Sequence, residues 1–140
     1  FGQARGSDYK LFEDNNEELL VVKKDLMATT KSCFNSEIYF HESFFTILSG
    51  SSIVKKHYHL AQLDKQKDLK LGQKKYALVY YLETGDQDCQ HPGILKFYDP
   101  SQEILPSNGM VIIFPASRYH SVRYNGSKER IIIGINFYTM

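Results

Sequence analysis

The sequence predicts a mainly β domain, an antiparallel two-sheet sandwich or barrel with one packing helix near its N-terminus. Three observations predict it. About eight short runs of β-branched and aromatic residues alternate with Gly, Pro, Asn and Asp turns. Only one stretch, 14–30, carries apolar residues at helical spacing. Strands do not alternate with helices, as a parallel nucleotide-binding sheet would require, and neither a Gly-rich phosphate loop nor a GxSxG elbow occurs.

The elements follow in order. Asp14 to Thr30 is the helix, with Asp14, Asn15 or Asn16 as N-cap and Glu17 and Glu18 in its first turn. Leu19, Val22 and Leu26 form its packing stripe, with Leu20 and Met27 on a flank. Strands are expected at Ile38–Phe40 and Ser43–Leu48, and Ser49 to Ser52 makes a turn before a further strand, Ile53–His59. The Lys-rich stretch from Leu60 to Lys75 is read as a lid or a short helix on a solvated surface segment. Tyr76–Leu82 is a buried strand and Gly93–Tyr98 another, stopped by Asp99-Pro100. Ile112–Phe114 ends at Pro115, His120–Tyr124 follows, and Asn125-Gly126 reads as the turn of a hairpin whose return limb is Arg130–Phe137.

At 140 residues the chain suits one domain, with 1–37 as an N-terminal helical extension and 38–140 as the β core. A net charge of +1 gives no global drive toward nucleic acid or an anionic membrane. Cys33 and Cys89 are too few for a disulfide framework. FGQARGSDYK has no charged leader followed by an apolar segment, and no run reaches transmembrane length, so a cytoplasmic setting is expected. The sequence does not open on Met and reads as a trimmed chain or a piece of a longer one.

Candidate chemistry gathers at three histidines and one arginine. His57 and His59 are two apart in an expected strand, where residues i and i+2 share a face, so their imidazoles project together. His120 on a later strand supplies a third imidazole, a ligand type that suits Fe, Ni, Cu and Zn. The alternative is ordinary strand histidines. His41 reads as a boundary residue, and His91 beside Cys89 is a second, weaker metal candidate. Arg130 has two readings: an exposed hairpin residue paired with Glu129 or Glu103, or an anchor for a carboxylate.

The blocks ESFFTILSG, HYH, ALVYYL, GILKFYDP, GMVIIFPASRYHSV and ERIIIGINF, in this order from about Glu42 to Tyr138, resemble the Fe(II)/2-oxoglutarate-dependent oxygenase superfamily, in its putative 2OG-Fe(II) oxygenase branch. The resemblance implies a double-stranded β-helix, the jelly roll shared with cupins. It puts His57, His59 and His120 at the metal and Arg130 at the far carboxylate of 2-oxoglutarate, with Asn136 and Tyr81 also in the co-substrate pocket. Tyr80 and Ser117 are pocket-wall candidates whose packing reading comes first. The implied cofactors are Fe(II) and 2-oxoglutarate as co-substrate, and the implied reaction is oxidative decarboxylation to succinate and CO2 coupled to hydroxylation of a substrate. That substrate is expected to be a small molecule or peptide, with no nucleic-acid or membrane partner, and a homodimer is one possible assembly.

One departure stands out. His59 occupies the place where the family has a carboxylate, so the ligand set is three neutral imidazoles rather than two and a carboxylate. This brings it close to three-His cupin dioxygenases and isomerases, which need no 2-oxoglutarate, and a non-catalytic jelly-roll module is the third alternative. The first cupin motif, however, continues with a Glu where Gln62 and Leu63 stand, and Asp64 lies one step too far along.

Overall fold

The computed structural model describes residues 4–140. A two-residue strand β1 (Arg5–Gly6) precedes the helix α1 (Glu17–Phe34), and eight strands follow: β2 (Ile38–Leu48), β3 (Ser52–His57), β4 (Lys75–Glu83), β5 (Pro92–Phe97), β6 (Gln102–Ile104), β7 (Val111–Pro115), β8 (His120–Tyr124) and β9 (Arg130–Thr139). They form two antiparallel sheets, β1-β2-β9-β4-β7 and β3-β8-β5-β6. From β2 onward successive strands cross between the sheets, except at the β5–β6 pair, which gives the jelly-roll, double-stranded β-helix arrangement.

Helix α1 starts where Asn16 accepts a hydrogen bond from the Leu19 amide at 3.1 Å and stops where Asn35 turns into the left-handed region. Leu26 is buried, and Leu19, Val22, Met27 and Phe34 pack with it against Ile133, Ile135 and Phe137 of β9 and Leu78 of β4. Each fully buried Leu or Phe contributes about 1.5–3 kcal/mol. A second apolar core between the sheets joins Leu48, Ala77, Leu95, Phe97, Phe114, Val122 and Tyr124.

Strand β9 explains how an apolar run carries chemistry. Period-2 alternation sends Ile133, Ile135 and Phe137 toward the helix, while Arg130, Ile132, Gly134 and Asn136 line the space between the sheets. Gly134 is required there, because a Cβ would meet the Phe44 ring at 2.3 Å.

Several expectations need correction. The helix runs four residues further than Thr30, to Phe34. The two expected strands at 38–40 and 43–48 are one strand, interrupted by a register shift between Phe40 and Glu42. Segment 60–75 forms two short 3-10 helices, Leu63–Lys65 and Leu71–Gln73, in place of a single short helix, and Lys75 already belongs to β4. Gln102–Ile104 adds a strand in the expected connector. Asn125-Gly126 is not a hairpin turn. β8 pairs with β3 and β5 in one sheet and β9 with β2 and β4 in the other, so these residues carry the crossover. Asn125 is held there by His91, whose amide donates to Asn125 Oδ1 and whose carbonyl accepts from the Asn125 amide, each at 2.9 Å.

Candidate metal centre and its cavity

His57 closes β3 and His120 opens β8, and the two residues are register partners across the antiparallel pair. His59 lies two residues past the end of β3, so the expected shared strand face does not account for its position. Instead its amide donates to the Ala116 carbonyl at 2.8 Å, which draws the loop back over the sandwich mouth. The three rings then converge. His57 and His120 centroids are 4.2 Å apart, and candidate ligand atoms from all three lie within 4.8 Å of one another.

The donor set fits a divalent metal. His57 Nδ1 lies 2.6 Å from the Lys55 carbonyl and His120 Nδ1 3.0 Å from the Arg118 carbonyl. A carbonyl only accepts, so both Nδ1 atoms carry the hydrogen and both Nε2 atoms keep a lone pair, the usual way a protein orients metal-binding imidazoles. His59 Nε2 and His120 Nε2 are 3.1 Å apart. Nitrogens about 2.0–2.1 Å from one ion in neighbouring positions stand roughly 3 Å apart. With its proton on Nδ1, His59 aims a lone pair at the same point as His120.

Electrostatics favour the neutral, ligating forms. Burial, then the neighbouring His120, His57 and Lys75, lower the His59 pKa to about 3. Burial also lowers that of His120 to about 4, opposed by its bond to Arg118 and helped by His57.

Behind the imidazoles lies a cavity of about 100 Å³ whose lining includes His57, His59, His120, Tyr81, Arg130 and Asn136. The exposed hairpin reading of Arg130 is wrong, since the residue is 3% exposed and Glu129 pairs with Arg5 instead. Its Nη2 donates to the Gly93 carbonyl at 3.2 Å, and its Cζ sits 5.2 Å from the Tyr81 ring centroid. Gly93, at φ +86°, is required for this approach, because a Cβ would lie 2.8 Å from Arg130 Nε. Arg130 Nε and Asn136 Oδ1 are both buried without a hydrogen-bond partner. Native proteins rarely leave such groups orphaned, and both residues line the one cavity, which points to a polar ligand between the sheets. Burial raises the Tyr81 pKa and keeps its hydroxyl neutral, although the Arg130 charge works against it.

Of the other candidates, Tyr80 packs at the edge of the helix-side core and Ser117 is exposed. His41 contacts Glu42 at 3.8 Å, Cys33 and Cys89 are free thiols, and Cys89 Sγ faces the Asp86 carbonyl. Among the described residues, the three-His group is the one cluster of His, Cys, Asp and Glu spaced to hold a metal.

Sequence reasoning missed the buried ion pair beside the metal candidates. Lys75 Nζ donates to Asp64 Oδ2 at 2.9 Å and lies 4.0 Å from Glu42, while the Tyr138 hydroxyl donates to Asp64 Oδ1 at 2.5 Å. Asp64 Oδ2 also accepts from the Ala61 amide at 2.8 Å, which ties the loop after His59 to the barrel. Lys75 ends a Lys-rich run, and nothing local distinguishes it from its solvated neighbours.

Fold and cluster together define a metal-binding jelly roll of the double-stranded β-helix type. The family model for the 2OG-Fe(II) oxygenase superfamily matches residues 45–138, more than half of the chain, and the chain belongs to that family. The family uses Fe(II) and 2-oxoglutarate. No curated protein matches the chain. Among solved structures, it is similar to a viral collagen prolyl hydroxylase from Paramecium bursaria Chlorella virus-1, solved as a 2OG complex, with 15% identity, 98% of this chain and 80% of that one covered, and a TM-score of 0.67. It is also similar to a Pseudomonas putida prolyl-4-hydroxylase, with 17% identity, coverage of 98% and 71%, and a TM-score of 0.67. An oxidoreductase of the 2OG-Fe(II) oxygenase family from Burkholderia pseudomallei shares 14% identity and a TM-score of 0.63. There 89% of this chain is covered but only 57% of the Burkholderia one, so this chain spans little more than half of that relative. Among the described residues no helix is long and apolar enough to cross a membrane.

Proposed function

We propose that the protein is a non-haem Fe(II)- and 2-oxoglutarate-dependent oxygenase, a hydroxylase, in which His57, His59 and His120 hold the iron and Arg130, Asn136 and Tyr81 receive the co-substrate. The observation that carries this reading is the buried, incompletely partnered guanidinium facing the same cavity as three lone-pair-bearing imidazoles. A three-imidazole set by itself would serve a cupin-type metalloprotein equally well, whereas a buried Arg at the far end of the cavity suits a dicarboxylate.

When bound, Fe(II) and 2-oxoglutarate supply O2 activation and oxidative decarboxylation to succinate and CO2. The chain's own residues bind and position. The Lys55 and Arg118 carbonyls fix the tautomers of His57 and His120. Arg130 neutralises the far carboxylate, the Tyr81 ring backs the guanidinium, and Asn136 turns a polar edge to the cavity between Arg130 and the imidazoles. Leu48, Val54, Leu95 and Val122 complete an apolar lining that limits water. Outside the imidazoles a groove of about 620 Å³, lined by Tyr9, Glu42, Phe44, Tyr58, His59 and Lys75 among others, is the path for a small-molecule or peptide substrate.

The test is O2-dependent conversion of 2-oxoglutarate to succinate by Fe(II)-loaded protein, which many oxygenases sustain slowly without substrate. Wild type is expected to release succinate above background and His57→Ala is not. Equal succinate from the two proteins refutes the iron assignment, and none from wild type that retains bound metal favours the cupin-type alternative.

A further inference from the structure

The outer face of the smaller sheet gathers four cations around one carboxylate, Glu103, the register partner of Lys96. Between Val54 and His57 the register of β3 against β8 shifts, so Lys55 and Lys56 together oppose the single residue Ser121. Lys96 of β5 is the partner of Ser121 on its other side, and Arg123 lies two residues along β8 on the same face. Tyr98 lies between these cations: its hydroxyl is 2.8 Å from Ser121 Oγ, and Lys56 and Lys96 Nζ stand 4.3 and 5.2 Å from its ring centroid. These residues border a groove of about 460 Å³ on this face.

Lys55, Lys56, Lys96 and Arg123 make no ion pair among the described residues, and Glu103 is the one carboxylate in the groove lining. Four cations against one carboxylate leave three positive charges over on one face of a chain whose whole net charge is +1. Like charges forced together by a bulge destabilise the free surface, and an anionic partner relieves that repulsion.

We propose that this face docks an acidic, apolar-flanked peptide segment of another protein. Ile53 and Ile94 edge the groove and would accept apolar side chains between the acids. The geometry disfavours nucleic acid. Tyr98 is tethered through its hydroxyl and flanked by two ammonium groups, so its ring is not free to stack on a base, and Glu103 repels a phosphate backbone. The peptide lies on the backs of β3 and β8, the strands that present His57 and His120 on the opposite side, which would place a bound protein beside the metal centre.

Fluorescence anisotropy of a labelled peptide of alternating Glu and Leu, at low salt, is the test, with an alternating Gln and Leu peptide and oligothymidylate as the other probes. The acidic peptide is expected to bind, to weaken as salt is added, and to lose about tenfold or more in affinity with Lys96→Glu/Arg123→Glu. Lys55→Gln/Lys56→Gln, a milder change in the same cluster, is expected to lose less, and circular dichroism identifies any variant that fails to fold. Binding of the Gln peptide as tight as that of the Glu peptide, preference for oligothymidylate, or unchanged affinity in both folded variants overturns the proposal.

Discussion

Two clusters of buried polar side chains lie a few residues apart in the same sandwich, and they are built in opposite ways. In the first, Asp64, Lys75 and Tyr138 partner one another: the carboxylate accepts from Lys75, Tyr138 and the Ala61 amide, and its side chain is fully enclosed. In the second, Arg130 Nε and Asn136 Oδ1 have no hydrogen-bond partner, and the Nε2 lone pairs of His57 and His120 are left for a ligand because their Nδ1 atoms are taken by backbone carbonyls. A closed cluster holds structure, because removing either member leaves a buried charge alone. An open cluster costs stability until something fills it, which is the signature of a binding site.

The largest expected effect falls on the closed cluster. Lys75→Met leaves Asp64 buried and unpaired, and it should cost about 3–5 kcal/mol of folding free energy, read as a large drop in melting temperature. A fall no greater than that for an exposed lysine such as Lys67→Met would erase the distinction between the clusters.

Arg130→Met should behave in the reverse sense. Affinity for 2-oxoglutarate is expected to fall roughly a hundredfold, about 3 kcal/mol, while the ligand-free protein melts within a few degrees of wild type, since the residue lost was incompletely paired. Unchanged co-substrate affinity would remove Arg130 from the pocket. Asn136→Ala offers a smaller version, about tenfold in the same titration.

Acid should act through the closed cluster. Burial pushes the Asp64 carboxyl up, but hydrogen bonds from Tyr138, Lys75 and the Ala61 amide, with the Lys75 charge, outweigh it and hold the pKa below its ordinary 3.8. As pH falls, the unfolded chain therefore takes up this proton first. The stabilisation is present above about pH 4 and is lost as pH drops through the folded-state value. In acid titrations monitored by circular dichroism, Asp64→Asn should show a lower plateau above pH 4 and a shallower decline below it than wild type.

The same contrast explains what the sequence could and could not reveal. Strand content, the helix and its packing stripe were legible because alternation and helical spacing report burial directly. The convergence of His57 and His120 was legible from the order of blocks, which matched a known architecture. His59 was placed on the right side for an incomplete reason, since it reaches the site through a loop bond to Ala116 rather than strand geometry. The Asn125-Gly126 pair misled because a local turn signal does not say which sheet the next strand joins. Lys75 and Asp64 were invisible, because a buried lysine at the end of a polar run differs from its solvated neighbours only in the three-dimensional company it keeps.

If the open cluster receives a metal and a dicarboxylate together, anaerobic titration of the Fe(II)-loaded protein with 2-oxoglutarate reads both in one signal. A weak visible metal-to-ligand charge-transfer band should grow in and saturate with wild type, and require far more 2-oxoglutarate with Arg130→Met. Iron that binds stoichiometrically yet gives no band at any 2-oxoglutarate concentration would contradict this joint binding.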